Sequence, residues 1–171
     1  VVVARIMGID FAIEPVLALI AVAVGMNLWQ VLFPPRRTSA RRAVVQLTFD
    51  VIQISALMAL TGGLANPFAL LVLVPVTIAA TALENRQTVL VGAVTVVLIS
   101  LSGWLAAPLY HPTLDLAMPP ILQLAHWVAI LIGVAFFAAY ARRVSGELAT
   151  TTDALFATQM ALAREQKLQH L

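Results

Sequence analysis

Five long apolar runs, joined by connectors too short to fold on their own, constrain this chain more than any other feature. A helix needs about 20 mainly apolar residues to cross the hydrocarbon core of a bilayer. Complete runs of that kind occur at 15–33, 43–60, 68–83, 88–105 and 121–140, and residues 1–6 read as the last turns of a further, N-terminal span. The opening VVVARIMGIDF has neither an initiator methionine nor the architecture of a signal peptide. With 61% hydrophobic and 11% charged residues, the chain departs far from the roughly 25% charged residues of soluble domains. The expected fold is all-α: a polytopic membrane helix bundle of five complete spans plus the tail of a sixth, continuing into a cytoplasmic signalling helix.

The arginines set the topology. Arg36, Arg37, Arg41 and Arg42, then Arg86, then Arg142 and Arg143 all fall on one side if the spans alternate. The other side receives Arg5, the connector at 61–67 and a loop with Tyr110 and His111. An excess of Lys and Arg marks cytoplasmic loops, so the 61–67 connector faces the periplasm. The net charge of +2 and pI of 9.7 therefore reflect membrane orientation, and no nucleic-acid partner is expected. Residues 1–143 read as a transmembrane input domain and 144–171 as a cytoplasmic linker helix. In that linker Leu148, Leu155 and Leu162 recur every seven residues, the spacing of a coiled-coil seam. Polar Thr151, Thr152 and Gln159 at its other core positions point to a weakly packed homodimer.

The residue types that carry bond-making chemistry are sparse. There are no cysteines, and His111, His126 and His170 lie in a loop, a span and the cytoplasmic helix without metal-ligand spacing. Asp50 and Gln53 lie in the first half of the 43–60 run, with Glu84 at the end of the next. Asp50 is expected to pair with Arg41 or Arg42 near the surface, and no chain of ionisable residues accompanies it as a proton relay would require. Nucleophile elbows, phosphate-binding glycine loops and paired carboxylates are missing. The stretch senses, transports or scaffolds; it carries no catalytic residues of its own.

The connector TGGLANP and the span it opens admit two readings on chemical grounds alone. In the structural one, Gly62 and Gly63 end the preceding helix in a left-handed conformation, while Asn66 caps the next helix and Pro67 opens it. In the functional one, free N–H groups at that helix start attract partial negative charge. The glycines then admit a flat ligand, Asn66 supplies a donor and an acceptor, and Phe68 offers an aromatic face. Pro75 is expected to kink the span that follows.

The heptapeptide Gly62-Gly63-Leu64-Ala65-Asn66-Pro67-Phe68 resembles the GGxxNPF motif of the RegB/PrrB-type redox-sensing histidine kinases. NLWQVLFP at 27–34, FDVIQISALMALTGGLANPFALLVLVPV and the AAYARRV exit at 138–144 are similar to that family's membrane domain. The resemblance implies a six-span input domain that binds ubiquinone as a regulatory ligand at Gly62, Gly63, Asn66, Pro67 and Phe68. It also implies that oxidised quinone holds down autophosphorylation. The intact protein would be a homodimeric protein histidine kinase in the bacterial inner membrane, in contact with membrane lipid and the quinone pool. ATP and the cognate response regulator would engage domains beyond this stretch. The family's HELGTP-like phosphoacceptor box does not occur here, and His170 lacks its context. The alternatives are a small polytopic transporter or permease fragment, or a ligand-free membrane dimerisation anchor.

Overall fold

A computed structural model describes residues 6, 8–34, 39–113 and 115–169, with side chains to residue 162. Among these residues five α-helices follow in order: α1 (Ile13–Leu32), α2 (Ala40–Leu60), α3 (Leu73–Ala82), α4 (Asn85–Trp104) and α5 (Pro120–Gln169). Two 3-10 turns, Gly63–Ala65 and Pro67–Val72, join α2 to α3. Among the described residues the extended structure is one antiparallel bridge, Asp10 to Tyr110. Residues 1–5 of the expected tail at 1–6, together with Arg36, Arg37 and His170, lie outside the described residues.

Among the described residues α1, α2, α4 and the first part of α5 are long and apolar enough to cross a membrane, whereas Pro67–Ala82 is a shorter apolar helix. The shortness is partly made up by helix type. Six 3-10 residues at about 2.0 Å each and ten α residues at 1.5 Å each reach about 27 Å. That is close to the roughly 30 Å of a hydrocarbon core. Pro75 does not kink the span at mid-length as the sequence suggests; it is the third residue of α3, in its first turn. There its missing N–H needs no partner, and the clash it would make with a carbonyl four residues back is relieved because the chain before it is wound as a 3-10 helix.

α2 packs chiefly on α4, and α3 chiefly on α5. The core between them holds Val51 and Met58 of α2, Val76 and Ala79 of α3, Ile99 of α4 and Ile130 of α5. Small residues set the spacing: Leu73 seats against Gly133, the kind of close helix approach that small residues permit in lipid. Two of the polar groups in this apolar core find partners within it. Thr95 donates to Val91 C=O at 2.8 Å, and the Trp127 indole donates to Ser100 Oγ at 3.0 Å, tying α5 to α4. α1 is held more lightly, with Val16 as its buried residue and Gln53 Nε2 donating to Leu19 C=O at 2.9 Å.

At one end of the bundle the α3–α4 turn meets α5. Thr88 Oγ1 donates to Ala79 C=O at 3.0 Å, and the Arg142 guanidinium donates in turn to Thr88 Oγ1 at 3.1 Å and to Leu83 C=O at 3.5 Å. A cation at the C-terminus of α3 also complements the helix dipole. α5 itself runs unbroken for 50 residues, through Gly146, so the span and the following polar segment form one helix. Replacing Arg142 by Leu is expected to lower stability by about 1–2 kcal/mol, read as the midpoint of unfolding in detergent. Arg143→Leu should change it by less than about 0.5 kcal/mol, because Arg143 pairs with Glu147 while 78% and 65% of the two side chains are exposed. Equal effects of the two substitutions would contradict a clasp at Arg142.

Candidate functional site

The GGLANPF turn is built from the end of α2 outward. Gly62 closes α2 in the left-handed region at φ 94°, and Gly63 follows at φ 58°. The second glycine is required sterically as well as conformationally. A Cβ on Gly63 would stand 2.5 Å from Ala106 Cβ and 2.9 Å from Ser102 C=O, and Leu64 lies against Gly103 in the same way. The turn is thus pressed onto the C-terminal end of α4, and Ala107 N–H donates to Ala59 C=O at 2.7 Å to complete the join.

A relay of side chains satisfies the freed polar groups. Thr61 Oγ1 donates to Leu57 C=O at 2.6 Å, and Asn66 Nδ2 donates to Thr61 Oγ1 at 2.6 Å. Asn66 Oδ1 accepts the Phe68 N–H at 2.8 Å, with Pro67 at the first position of the 3-10 turn. The cap expected from Asn66 and Pro67, and the left-handed glycines expected at the end of α2, are therefore present.

The five motif residues divide into two groups. Gly63 is buried, Asn66 is half-buried and committed to the relay, and Pro67 fixes the start of the turn. Phe68 projects with 66% of its surface exposed. Gly62 borders a cavity of about 420 Å³ between the turn and the loop after α4, where Leu109, Asp115 and Gln123 complete the wall. No spacing in the sequence singles out Asp115 or Gln123; they come to the turn through the chain's path alone. The half-buried Asn66 amide is not aimed at an open space, which differs from the expectation that it is free to donate to a ligand.

Other residues singled out in the sequence lie elsewhere. Asp50 pairs with the Gln46 amide at 3.1 Å, not with Arg41 or Arg42; among the described residues the one ion pair is Arg143–Glu147. Asp50 lies two to three helical turns from those arginines, beyond the reach of their side chains along one helix face. His111 accepts the Thr113 N–H at 3.2 Å in the loop after α4, and His126 is on α5. No group of three His, Asp or Glu side chains able to hold a metal occurs among the described residues.

The two glycines give separate expectations. Gly63→Ala adds a Cβ against the Ser102 backbone, where little can yield, on top of about 1–2 kcal/mol for a left-handed Ala. Gly62→Ala meets the Leu109 side chain, which can move, so its loss should stay near the conformational term. Unfolding midpoints in detergent should therefore order wild type, Gly62→Ala, Gly63→Ala from most to least stable. The reverse order of the two variants would disprove the packing role of Gly63.

Comparison with known proteins matches residues 7–153 to the family model described as the PilS-like transmembrane domain. The chain is 46% identical over 137 residues to the sensor histidine kinase RegB of Cereibacter sphaeroides, covering 80% of this chain and 30% of that protein. A second RegB sequence, from C. sphaeroides strain ATCC 17023, is 49% identical over 57 residues, covering 33% of this chain and 12% of that protein. The chain thus spans less than a third of the length of the curated relatives it matches. No solved structure matches it. With the family model covering most of its length and the likeness to RegB running through both the turn and the helices that hold it, this chain belongs to the family of PilS-like transmembrane domains.

Proposed function

We propose that this is the membrane input domain of a redox-sensing histidine kinase, and that it reads the quinone pool at the GGLANPF turn. The observation that carries the reading is the heptapeptide itself, set at a packed outer turn in a chain 46% identical to a RegB sensor kinase. The open part of the turn suits a flat, apolar ligand: the exposed ring of Phe68 and the Gly62 edge of the neighbouring cavity. Gly63 and Pro67 keep its shape. Asn66 reaches a quinone carbonyl by exchanging Thr61 Oγ1 for it, which makes ligand binding compete with the relay that ends α2.

That competition is a way to generate a signal. A ligand shifts a conformational equilibrium only by its difference in affinity for two states. A quinone carbonyl accepts from Asn66, whereas a quinol hydroxyl can instead donate, so the two redox forms meet the same amide differently. A coupling of about 1–3 kcal/mol changes output roughly 5- to 150-fold. The arm from Pro67 to Ala82 transmits it, because α3 packs on α5 and α5 leaves the membrane toward the kinase.

In this reading the arginine-bearing end faces the cytoplasm of a bacterial inner membrane and the turn faces the periplasm. The domain has six spans, and residues 144–171 are the linker to dimerisation and phosphotransfer domains. The exposed Leu148, Leu155 and Leu162 are the seam of a homodimer, and the response regulator and ATP bind beyond it. Full-length kinase in vesicles should lose inhibition by oxidised ubiquinone on Phe68→Ala, an exposed position where folding is little affected. Asn66→Ala should do the same at a stability loss of about 1 kcal/mol for the missing cap. Inhibition retained by Phe68→Ala would rule out the turn as the quinone site.

A further inference from the structure

Leu148, Leu155 and Leu162 continue, at the same spacing of seven, a row made by Trp127, Val134 and Ala141 earlier in the same helix. Within the bundle that row faces inward: Val134 and Ala141 are buried, and Trp127 reaches Ser100 of α4. Beyond Arg142 the three leucines are exposed. One stripe of α5 is therefore covered by its own bundle in the first half and uncovered in the second.

A spacing of seven drifts by about 20° per heptad around a straight helix, and on α5 the drift runs toward α3. At 3.6 residues per turn, Leu148, Leu155 and Leu162 lie about 60°, 40° and 20° around the axis from Gly133, the residue on which Leu73 of α3 seats. From Trp127, which meets α4, the same leucines are about 60°, 80° and 100° away. A helix packed on the leucines thus stands in line with α3, past its end at Ala82. Exposed Ile132 on the outer side of α5 is more than about 100° from each leucine.

A two-fold dimer sets the same patch of both copies against itself. With the leucines turned to the axis, α3 stands between α5 and the axis, and the face of α3 turned away from α5 meets the partner first. That face is the row Leu71, Val74 and Ile78, each about half exposed, opposite buried Val76 and Ala80. Beside it a groove of about 410 Å³ between the arm, α2 and α1 carries Asn27 and Gln53. Each amide gives one N–H to a backbone carbonyl, of Ala23 and Leu19 respectively. Each keeps a second N–H and a carbonyl oxygen with no bond among the described residues. Groups that hold both a free donor and a free acceptor can bond their own copies, and side-chain amides join helices in this way within membranes.

We infer that a second copy of this chain docks arm to arm in the membrane, with Leu71, Val74 and Ile78 of each protomer facing those of the other across the two-fold axis. The inference rests on the homodimer reading of the leucine seam. With two arms between them, the α5 helices stand three interaxial spacings apart in the bilayer, roughly 24–30 Å, against one spacing of about 8–10 Å at the seam. A lean of about 20° is ordinary for a spanning helix. Over the roughly 30 Å from Arg142 to Leu162 it carries each rod inward by about 10 Å, which makes up the difference without a break in α5. The arm that holds Phe68 then lies beside its own copy, so a shift of the pair reaches both seams together.

The test uses full-length protein in membrane vesicles, with any cysteine outside this stretch changed to serine; the stretch itself has none. Single cysteines are oxidised with copper phenanthroline and read as disulfide-linked dimers. Leu155→Cys reports the seam, Val74→Cys and Ile78→Cys the arm, and Ile132→Cys the outer side of α5. Because Cα atoms more than about 7 Å apart cannot be bridged, dimers are expected at Leu155 and at Val74 or Ile78, with a yield at least about fivefold above that at Ile132. A Leu155 dimer with both arm positions silent overturns the arm contact and leaves the homodimer standing. Arm dimers matched in yield by Ile132→Cys reflect random collision and overturn it as well. No dimer at any of the four positions removes the homodimer reading and the arm contact with it.

Discussion

In a bilayer core a backbone N–H or C=O without a partner costs several kcal/mol, and the two breaks in helix at the ends of α2 and α3 are answered by specific side chains. Where α2 stops, Thr61 and Asn66 take over its last carbonyls and the first N–H groups of the next segment. Where α3 stops, Thr88 and Arg142 accomplish the same from neighbouring helices. The two solutions differ in kind. At the first, the side-chain bonds stay within the α2–α3 hairpin, while the second draws in a side chain from α5 and so makes the end of α3 and the exit helix a common unit.

This difference gives the Pro67–Ala82 arm its position in the fold. One end is fastened to the α4 terminus through the close approach of Gly63 and Leu64, and the other is clasped to α5 through Arg142. Between them lies a change of helix type beside a buried proline. Six residues of 3-10 helix exceed the usual run of three or four, and such stretches often mark hinges. Exchange between 3-10 and α winding alters the length of the arm by about 0.5 Å per residue. A ligand at either end could thus be felt at the other as a shift along the helix axis, with no need for a separate moving part.

Much of this was legible in the residues. The apolar runs marked the helices to within a few positions at most ends, and the glycines, Asn66 and Pro67 marked the turn, because those effects are local and depend on side chain and backbone of the same few residues. What was not legible depended on distant partners. Nothing near Gly63 announces that Ser102 and Ala106 will close on it, and nothing near Asp50 favours Gln46 over the arginines except helix geometry. Pro75 was legible as a disturbance but not as a beginning, since its effect depends on how the chain before it is wound. The proximity of Arg142 to Thr88 joins residues 54 positions apart, a relation that no window on the sequence contains.

The unbroken α5 helix turns small events in the bilayer into large ones outside it. At 1.5 Å per residue its 50 residues make a rod about 75 Å long, of which about 40 Å lies beyond Arg142. A tilt of only 5° about that clasp would carry the far end through roughly 3.5 Å, more than half the rise of one helical turn. Two such rods side by side would part or slide at their distant ends by a distance comparable to a side-chain register. Displacements too small to disturb the packing of the bundle are therefore large enough, at the end of the rod, to change which residues face each other.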